Sequence, residues 1–398
     1  MKAVFPLIVI VVIVFFSCKN SEYDSIERQD LFTLDIGPME DQIALYSLEG
    51  SGGLKRTGVA MRDGLFYIAD GNSAKIVRFN SYGDLLFMIY NEETNPSPIS
   101  LRTSFAEGGQ ATRWAYSYPL REPGRITVDS RRHIYVEDRL PAQGLRFDTE
   151  NKTILDGVIL HFDQNGQFIK YLGQDGVGGT PFPRIVGIYT STRDDLVVVC
   201  RISDGWDVFW FDNSGMLLYL IKIKNNTIPE RPDWPASMFS IDSIVAVPDS
   251  RRLLIKVDYY MDTLDESTNT RTGNEPGSSV IWTLNVESGT YVSMLEVPLF
   301  EYPTTVRQQN VRMFYSMLGA MRGGRVFLYF PVDTGYSILF LDTYTRQQRR
   351  GLVRFSNDEL RFNDFYLSAE GILCAMLVDD FQAKLVCWRT DAFIGETQ

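Results

Sequence analysis

The stretch from Asp63 to Leu86, DGLFYIADGNSAKIVRFNSYGDLL, decides the fold. It reads as two short strands, LFYIAD and KIVRFN, each closed by turn residues. β-Branched and aromatic side chains fill the strands, while Asp, Asn, Gly and Ser fill the turns. Gly83 supplies the positive φ that such a turn needs. Variants of this stretch return along the chain. Aligned on the first hairpin turn, six units appear: AMRDGLFYIAD from Ala60, VDSRRHIYVED from Val128, STRDDLVVVC from Ser191, PDSRRLLIKVD from Pro248, AMRGGRVFLYF from Ala320 and SAEGILCAML from Ser368. DSRR occurs twice, at Asp129 and Asp249. A third strand ends in a tight turn in IVRFNSYG, ILHFDQNG, VFWFDNSG and IWTLNVESG, and a fourth follows in DLLFMIY, QFIKYLG and MLLYLIKI.

Four antiparallel strands repeated six times describe a β-propeller, in which each blade buries its faces against its neighbours. From Gly64 to Gly371 the spacing averages about 61 residues, longer than a minimal blade, so the surplus is assigned to insertions. GVAMRDGLFYIADGNSAKIVRFNSYG from Gly58 and GRITVDSRRHIYVED from Gly124 resemble NHL repeats, the six-bladed propeller family of binding scaffolds. The likeness spans residues 31–390 and is strongest in the first two units. It implies an all-β, six-bladed fold and no particular activity.

Ring closure is expected from the N-terminus. Unit six has strands near Asn363, Ile372 and Lys384, after which only TDAFIGETQ remains, so DQIALYSL from Asp41 is expected to complete the last blade. One stretch competes with the strand reading. In VRQQNVRMFYSMLGAM, from Val306, the residues Val311, Phe314, Met317, Leu318 and Met321 sit at helical spacing. Its C-terminal half leads into the MRGG turn and is assigned to an inner strand, its first half to a helical turn.

The chain opens with MKAVFPLIVIVVIVFFSCKN, a single Lys followed by an apolar run too short to span a bilayer comfortably. The Ser17-Cys18 end resembles the lipobox of bacterial lipoproteins, with Phe15 where that box usually carries Leu. The resemblance implies acylation of Cys18 and cleavage before it; an uncleaved anchor is the alternative. The organisation expected is a signal peptide over residues 1–17, a flexible polar tether over 18–30 and a single propeller domain over 31–398. The body is then extracytoplasmic (periplasmic), lipid-anchored to a bacterial envelope membrane, with inner and outer membrane both open. Loss of Lys2 leaves 38 Lys and Arg against 50 Asp and Glu, a net charge of −12. Such a body is a poor match for nucleic acid or anionic lipid. In GILCAMLVDDFQAKLVCW the hairpin register sets Cys374 opposite Cys387, either as a disulfide or as two packed thiols.

Catalytic signatures are scarce. His133 and His161 are the only histidines, both inside strand patterns, which argues against a triad or a multi-histidine metal site. No GxSxG, HExxH, Walker or GxGxxG context occurs. Six acids stand at or just past the ends of second strands: Asp70, Asp138, Asp204, Asp258, Asp333 and Asp379. At the channel mouth they are candidate oxygen ligands for calcium, the only cofactor the pattern raises. Alternatively each caps its own turn. Two functions follow: a non-enzymatic scaffold binding a protein, peptide or other envelope component, or a calcium-dependent propeller hydrolase resembling the lactonases and esterases. First-to-second and third-to-fourth turns share one face and are tight; the other face receives the long insertions at 91–123, 139–157, 223–239, 259–278 and 298–310. Those insertions carry Arg113, Trp114, Tyr116, Tyr118, Trp234, Tyr259, Tyr260 and Tyr302, residue types that anchor interfaces, and they mark the expected binding face.

Overall fold

The computed structural model describes residues 24–45, 55–103, 113–231, 234, 238–265, 267–303, 310–356 and 359–395. Residues 1–17, read from the sequence as a signal peptide, and Cys18 lie outside the described residues. Within them, no helix is long and apolar enough to cross a membrane.

Six four-stranded antiparallel blades stand around a common axis, forming a β-propeller. Blade 1 is Thr57–Arg62, Leu65–Asp70, Lys75–Asn80 and Leu85–Tyr90. Blade 2 is Ile126–Val128, Ile134–Arg139, Gly157–Phe162 and Phe168–Gly173, and blade 3 is Arg184–Thr190, Leu196–Ile202, Gly205–Phe211 and Leu217–Lys224. Blade 4 is Met238–Ala246, Arg252–Leu264, Arg271–Asn285 and Thr290–Val297, and blade 5 is Ser316–Met321, Arg325–Val332, Gly335–Asp342 and Gln348–Arg354. Blade 6 takes Phe362–Leu367, Leu373–Val378 and Gln382–Trp388 from the C-terminal end and its outer strand from the N-terminal end. Each inner strand touches the inner strands of both neighbours, so the ring is closed.

The closing strand is Arg28–Asp35, not the stretch from Asp41. It pairs antiparallel with Gln382–Trp388, Arg28 opposite Trp388 and Asp35 opposite Gln382. RQDLFTLD supplies an alternating pattern whose Phe32 and Leu34 pack into blade 1, with the Phe32 ring 5.7 Å from Phe66 and 5.5 Å from Phe79. Ile43, within the stretch first expected to close the ring, is buried against the same core and bridges Ile36. Part of the segment read as tether is paired in the sheet: Asp24–Ser25 lies parallel to the outer strand of blade 5.

Strands that read as continuous apolar runs are buried on both faces. In blade 1, Val59, Phe66, Ile68, Val77 and Phe79 face blade 6, while Ala60, Tyr67, Ala69 and Ile76 face blade 2. The period-two alternation thus sorts each strand between two neighbouring cores, and six such clusters fill the gaps around the ring. The third-to-fourth turns of five blades share one device. An Asn or Asp oxygen, on Asn80, Asp163, Asp212, Asn285 or Asp342, accepts the backbone N–H two residues on. Gly83, Gly166, Gly215 and Gly289 take the left-handed position in four of these turns, and Arg346 takes it in the fifth.

The C-terminal half of the 306–321 stretch is the inner strand of blade 5, as expected. Its N-terminal half is not helical where described: Asn310–Met313 pairs with Phe300–Pro303 as a hairpin. Tyr302 stands opposite Val311 in this ribbon, while Met317, Leu318 and Met321 belong to the inner strand. Cys374 and Cys387 face each other across blade 6 and are joined as a disulfide, while Cys200 is free and buried.

Candidate functional site

The six acids do not converge. Asp70 is fully buried and accepts from the N–H groups of Ala44, Asn72 and Ser73 and from the Ser73 hydroxyl. Burial pushes its carboxyl up, against the pull of Lys75 across the hairpin. Lys75 is itself buried, donates to the Met39 carbonyl and is pushed down to about 8. Asp138 accepts from the N–H groups of Arg121, Glu122 and Arg139, and burial lifts it to about 6. Asp258 is held by Lys256 at 2.6 and 2.7 Å and by Ser279 at 2.6 Å. Asp204 pairs with Lys224, Asp379 accepts from the N–H groups of Phe381 and Gln382, and Asp333 is exposed. Five of the six acids are committed to local donors and all six lie in separate blades, an arrangement that does not fit a shared calcium. Among the described residues no group of three or more His, Cys, Asp or Glu is placed to hold a metal.

The eight interface-type residues form two sets on opposite sides of the ring. Trp114–Ser117 adds a parallel fifth strand to blade 1, and its register sets Trp114 opposite Phe87. Arg113 is 3.7 Å from Asp84, which lies in a tight turn, so Arg113 and Trp114 stand toward the tight-turn end of the outer edge and away from the loop-bearing face. Tyr116 packs beside Gly166, and Tyr118 packs its ring 5.2 Å from Phe162 and 4.8 Å from Phe168. The second set belongs to blades 4 and 5. Arg231 lies 6.0 Å from the Trp234 ring and 5.5 Å from the buried Tyr259 ring, Tyr260 meets Phe314 edge-on at 5.2 Å, and Tyr302 is exposed on its hairpin. Most of these aromatics pack within their own neighbourhoods.

Of the eight, Tyr302 belongs to the open apolar surface of the loop-bearing face, which is otherwise carried by other residues. The second-to-third insertion of blade 2 folds into a small hairpin, Arg146–Asp148 against Thr153–Leu155, that holds Phe147 opposite Ile154, 62% and 57% exposed. In the hairpin between blades 4 and 5, Tyr302, Val311 and Met313 share a face and are all exposed. The strand partners in RFDTENKTIL were legible as an alternating pair around a polar turn, but the length of the insertion hid them.

The axial channel opens as a cavity of about 600 Å³ lined by the inner strands. Tyr189, Tyr329, Tyr336 and Tyr366 contribute to its wall, each partly exposed. At the loop-bearing end, blades 1 and 2 approach until a Cβ on Gly58 would stand 2.4 Å from the Gly124 carbonyl oxygen. This contact requires glycine and brings Arg56, lying over Gly124, beside Arg125. Arg125 donates to Glu137 at 3.1 Å. Arg56 has no carboxylate within ion-pair distance among the described residues; desolvation lowers its pKa first and the charge of Arg125 lowers it further, against the pull of Glu137 and Asp364. Asp364 of blade 6 lines the same cavity, accepts the Val59 N–H at 2.8 Å and is pushed up to about 6 by burial despite Arg56 and Arg125. Across the lumen, Asp242 lies 3.4 Å from the buried Lys256, which also holds Asp258.

No family model matches this chain, and no curated protein does. Solved structures match in fold. A β-propeller domain of Nup133 from Vanderwaltozyma polyspora is 9% identical over 93% of this chain and 99% of that one, with a TM-score of 0.44. XC5397 from Xanthomonas campestris, described as a gluconolactonase, is 10% identical over 84% and 85%, with a TM-score of 0.39. The Dos1 propeller is 13% identical over 81% of this chain and 66% of that one, with a TM-score of 0.33. Such distances speak to architecture alone.

The two histidines meet each other. His133 Nδ1 lies 3.0 Å from His161 Nε2, and His161 stacks on Tyr135 at 4.3 Å. Burial pushes His161 down to about 3, so it is neutral at ordinary pH. Both sit beside the tight turns of blade 2, remote from the loop-bearing insertions.

Proposed function

We propose that the protein is a lipid-anchored, extracytoplasmic propeller acting as a non-enzymatic binding scaffold of the bacterial cell envelope, with a protein partner docking on the loop-bearing face. The observation that supports it is the asymmetry of the two ends. One end is all tight turns tied to each other; the other carries hairpins that hold Phe147 and Ile154, and Tyr302, Val311 and Met313, out of the core. Apolar pairs held in solvent by a rigid ribbon mark interaction surfaces. The direction of Arg28–Asp35, from the tight-turn side to the loop-bearing side, supports a tether leaving on the tight-turn side, with the hairpins turned away from the membrane.

Photo-cross-linking from single positions in the full-length protein tests this. Cross-linkers at Phe147 and Met313 should capture a common partner from detergent-solubilised membranes, whereas those at Tyr82 and Tyr344, in tight turns, should not. Capture from the tight-turn positions alone would overturn the assignment of the face. Cys18→Ser should release the protein from the membrane fraction without altering capture; retention of that variant in membranes argues for the uncleaved anchor.

A further inference from the structure

We infer that the channel mouth is a binding site for a small cyclic monocarboxylate, its carboxylate held by Arg56 and Arg125 and its ring lying against the tyrosine wall of the lumen. The inference goes beyond the docking face and is independent of it.

Charge carries the first step. Arg56 and Arg125, from neighbouring blades, line this end of the cavity together with Asp364, and Glu137 pairs with Arg125. Glu137 is engaged by Arg125 and Asp364 by the Val59 N–H, whereas the Arg56 guanidinium has no such partner among the described residues. Two neighbouring guanidiniums repel one another, and an anion between them reduces that cost. A single unpaired guanidinium matches a monoanion better than a phosphate dianion. The planar guanidinium fork matches a carboxylate.

Polarity and shape carry the second step. On the far side of the lumen Asp242 and Asp258 share the single cation Lys256, so an anion is drawn toward blades 1 and 2 and repelled from blade 4. A cavity of about 600 Å³ accepts a ligand of one or two rings, and Tyr329 and Tyr336, their rings packed 4.7 Å apart, form part of its wall. The body is either an aromatic or a sugar ring, and two probes separate these sources of one chemistry.

Calorimetric titration of the full-length protein with benzoate and with D-glucuronate, against benzyl alcohol, glucose and inorganic phosphate, tests the site. At least one carboxylate should bind saturably while its neutral counterpart does not, and Arg56→Gln should weaken that binding roughly tenfold or more. Arg56→Lys keeps the charge, loses the fork and should weaken it less; it also serves if the Gln variant proves unfolded by thermal melt. Saturable binding by neither carboxylate, equal binding of the neutral analogues, tighter binding of phosphate, or unchanged affinity in both Arg56 variants would overturn the inference.

Discussion

The two ends of the propeller are built from the same strands and behave oppositely. At the tight-turn end, cross-blade bonds link neighbours. Arg132 reaches Asp63, Ser130 donates to Asp194 through both N–H and hydroxyl, and Arg251 reaches Asp195. The Gly323 N–H donates to Asp249, and the Arg322 N–H to the Ala369 carbonyl. At the loop-bearing end the chain leaves the blades as hairpins, and the charged groups face a lumen. The difference teaches where a propeller invests its polar groups: one end uses them to hold blades in register, which frees the other to present surface and cavity. The two DSRR copies show it in detail. Asp129 caps its own turn by accepting the N–H groups of Arg131 and His133, whereas Asp249 crosses to blade 5.

Breaking the ring should have the largest effect. Removal of residues 24–35 deletes the outer strand of blade 6, exposes two edges and uncovers Phe66 and Phe79. The cooperative thermal transition should disappear; a melt with unchanged midpoint would show that closure does not need this strand. Leu34→Ala in the intact chain should cost about 2–4 kcal/mol by urea titration.

A single latch comes next. Asp195 accepts from the Trp210 indole N–H at 2.9 Å and faces Arg251 at 3.4 Å, so Asp195→Ala strands a buried donor and should cost about 2–3 kcal/mol. Arg131→Ala, at a partly exposed pair with Asp129 and Asp194, should cost under about 1 kcal/mol. Equal losses in the two variants would show that burial does not rank the latches.

The channel carboxylate sharpens the comparison through pH. Because the folded carboxyl of Asp364 titrates near 6, above the value of an exposed Asp, the folded state binds the proton more tightly. Its contribution is therefore most favourable in acid and is lost as pH rises through about 6. Asp364→Asn can still accept the Val59 N–H and should raise stability near pH 7.5 by about 1–2 kcal/mol, with little gain near pH 4. A larger gain in acid would reverse the sign and refute the account.

The smallest effect on stability belongs to the docking hairpins. Phe147→Ser and Ile154→Ser should each change stability by under about 0.5 kcal/mol, because these side chains leave the core, while reducing partner capture. Stability losses comparable to Leu34→Ala would make them structural.

What the sequence determined by itself was local. Strand alternation, Asx turns and the glycines after them are set by contacts within about ten residues, so six units, their turns and the facing of Cys374 and Cys387 could be read along the chain. The same locality explains why Asp70 and Asp379 looked like ligands: an acid at a strand end reads alike whether it caps a turn or meets a metal, and only neighbouring donors distinguish the two. Tertiary structure decided the rest. Arg28–Asp35 closes the ring because partners more than 300 residues away accept it, as in the bonds from Arg28 to Glu359. Arg113 and Trp114 moved to the outer edge because their insertion folds back along blade 1 as a parallel strand. The paired arginines of the channel belong to different blades and meet only because Gly58 and Gly124 let two inner strands touch. No single stretch of chain contains that site, because ring closure assembles it from residues that are far apart in sequence.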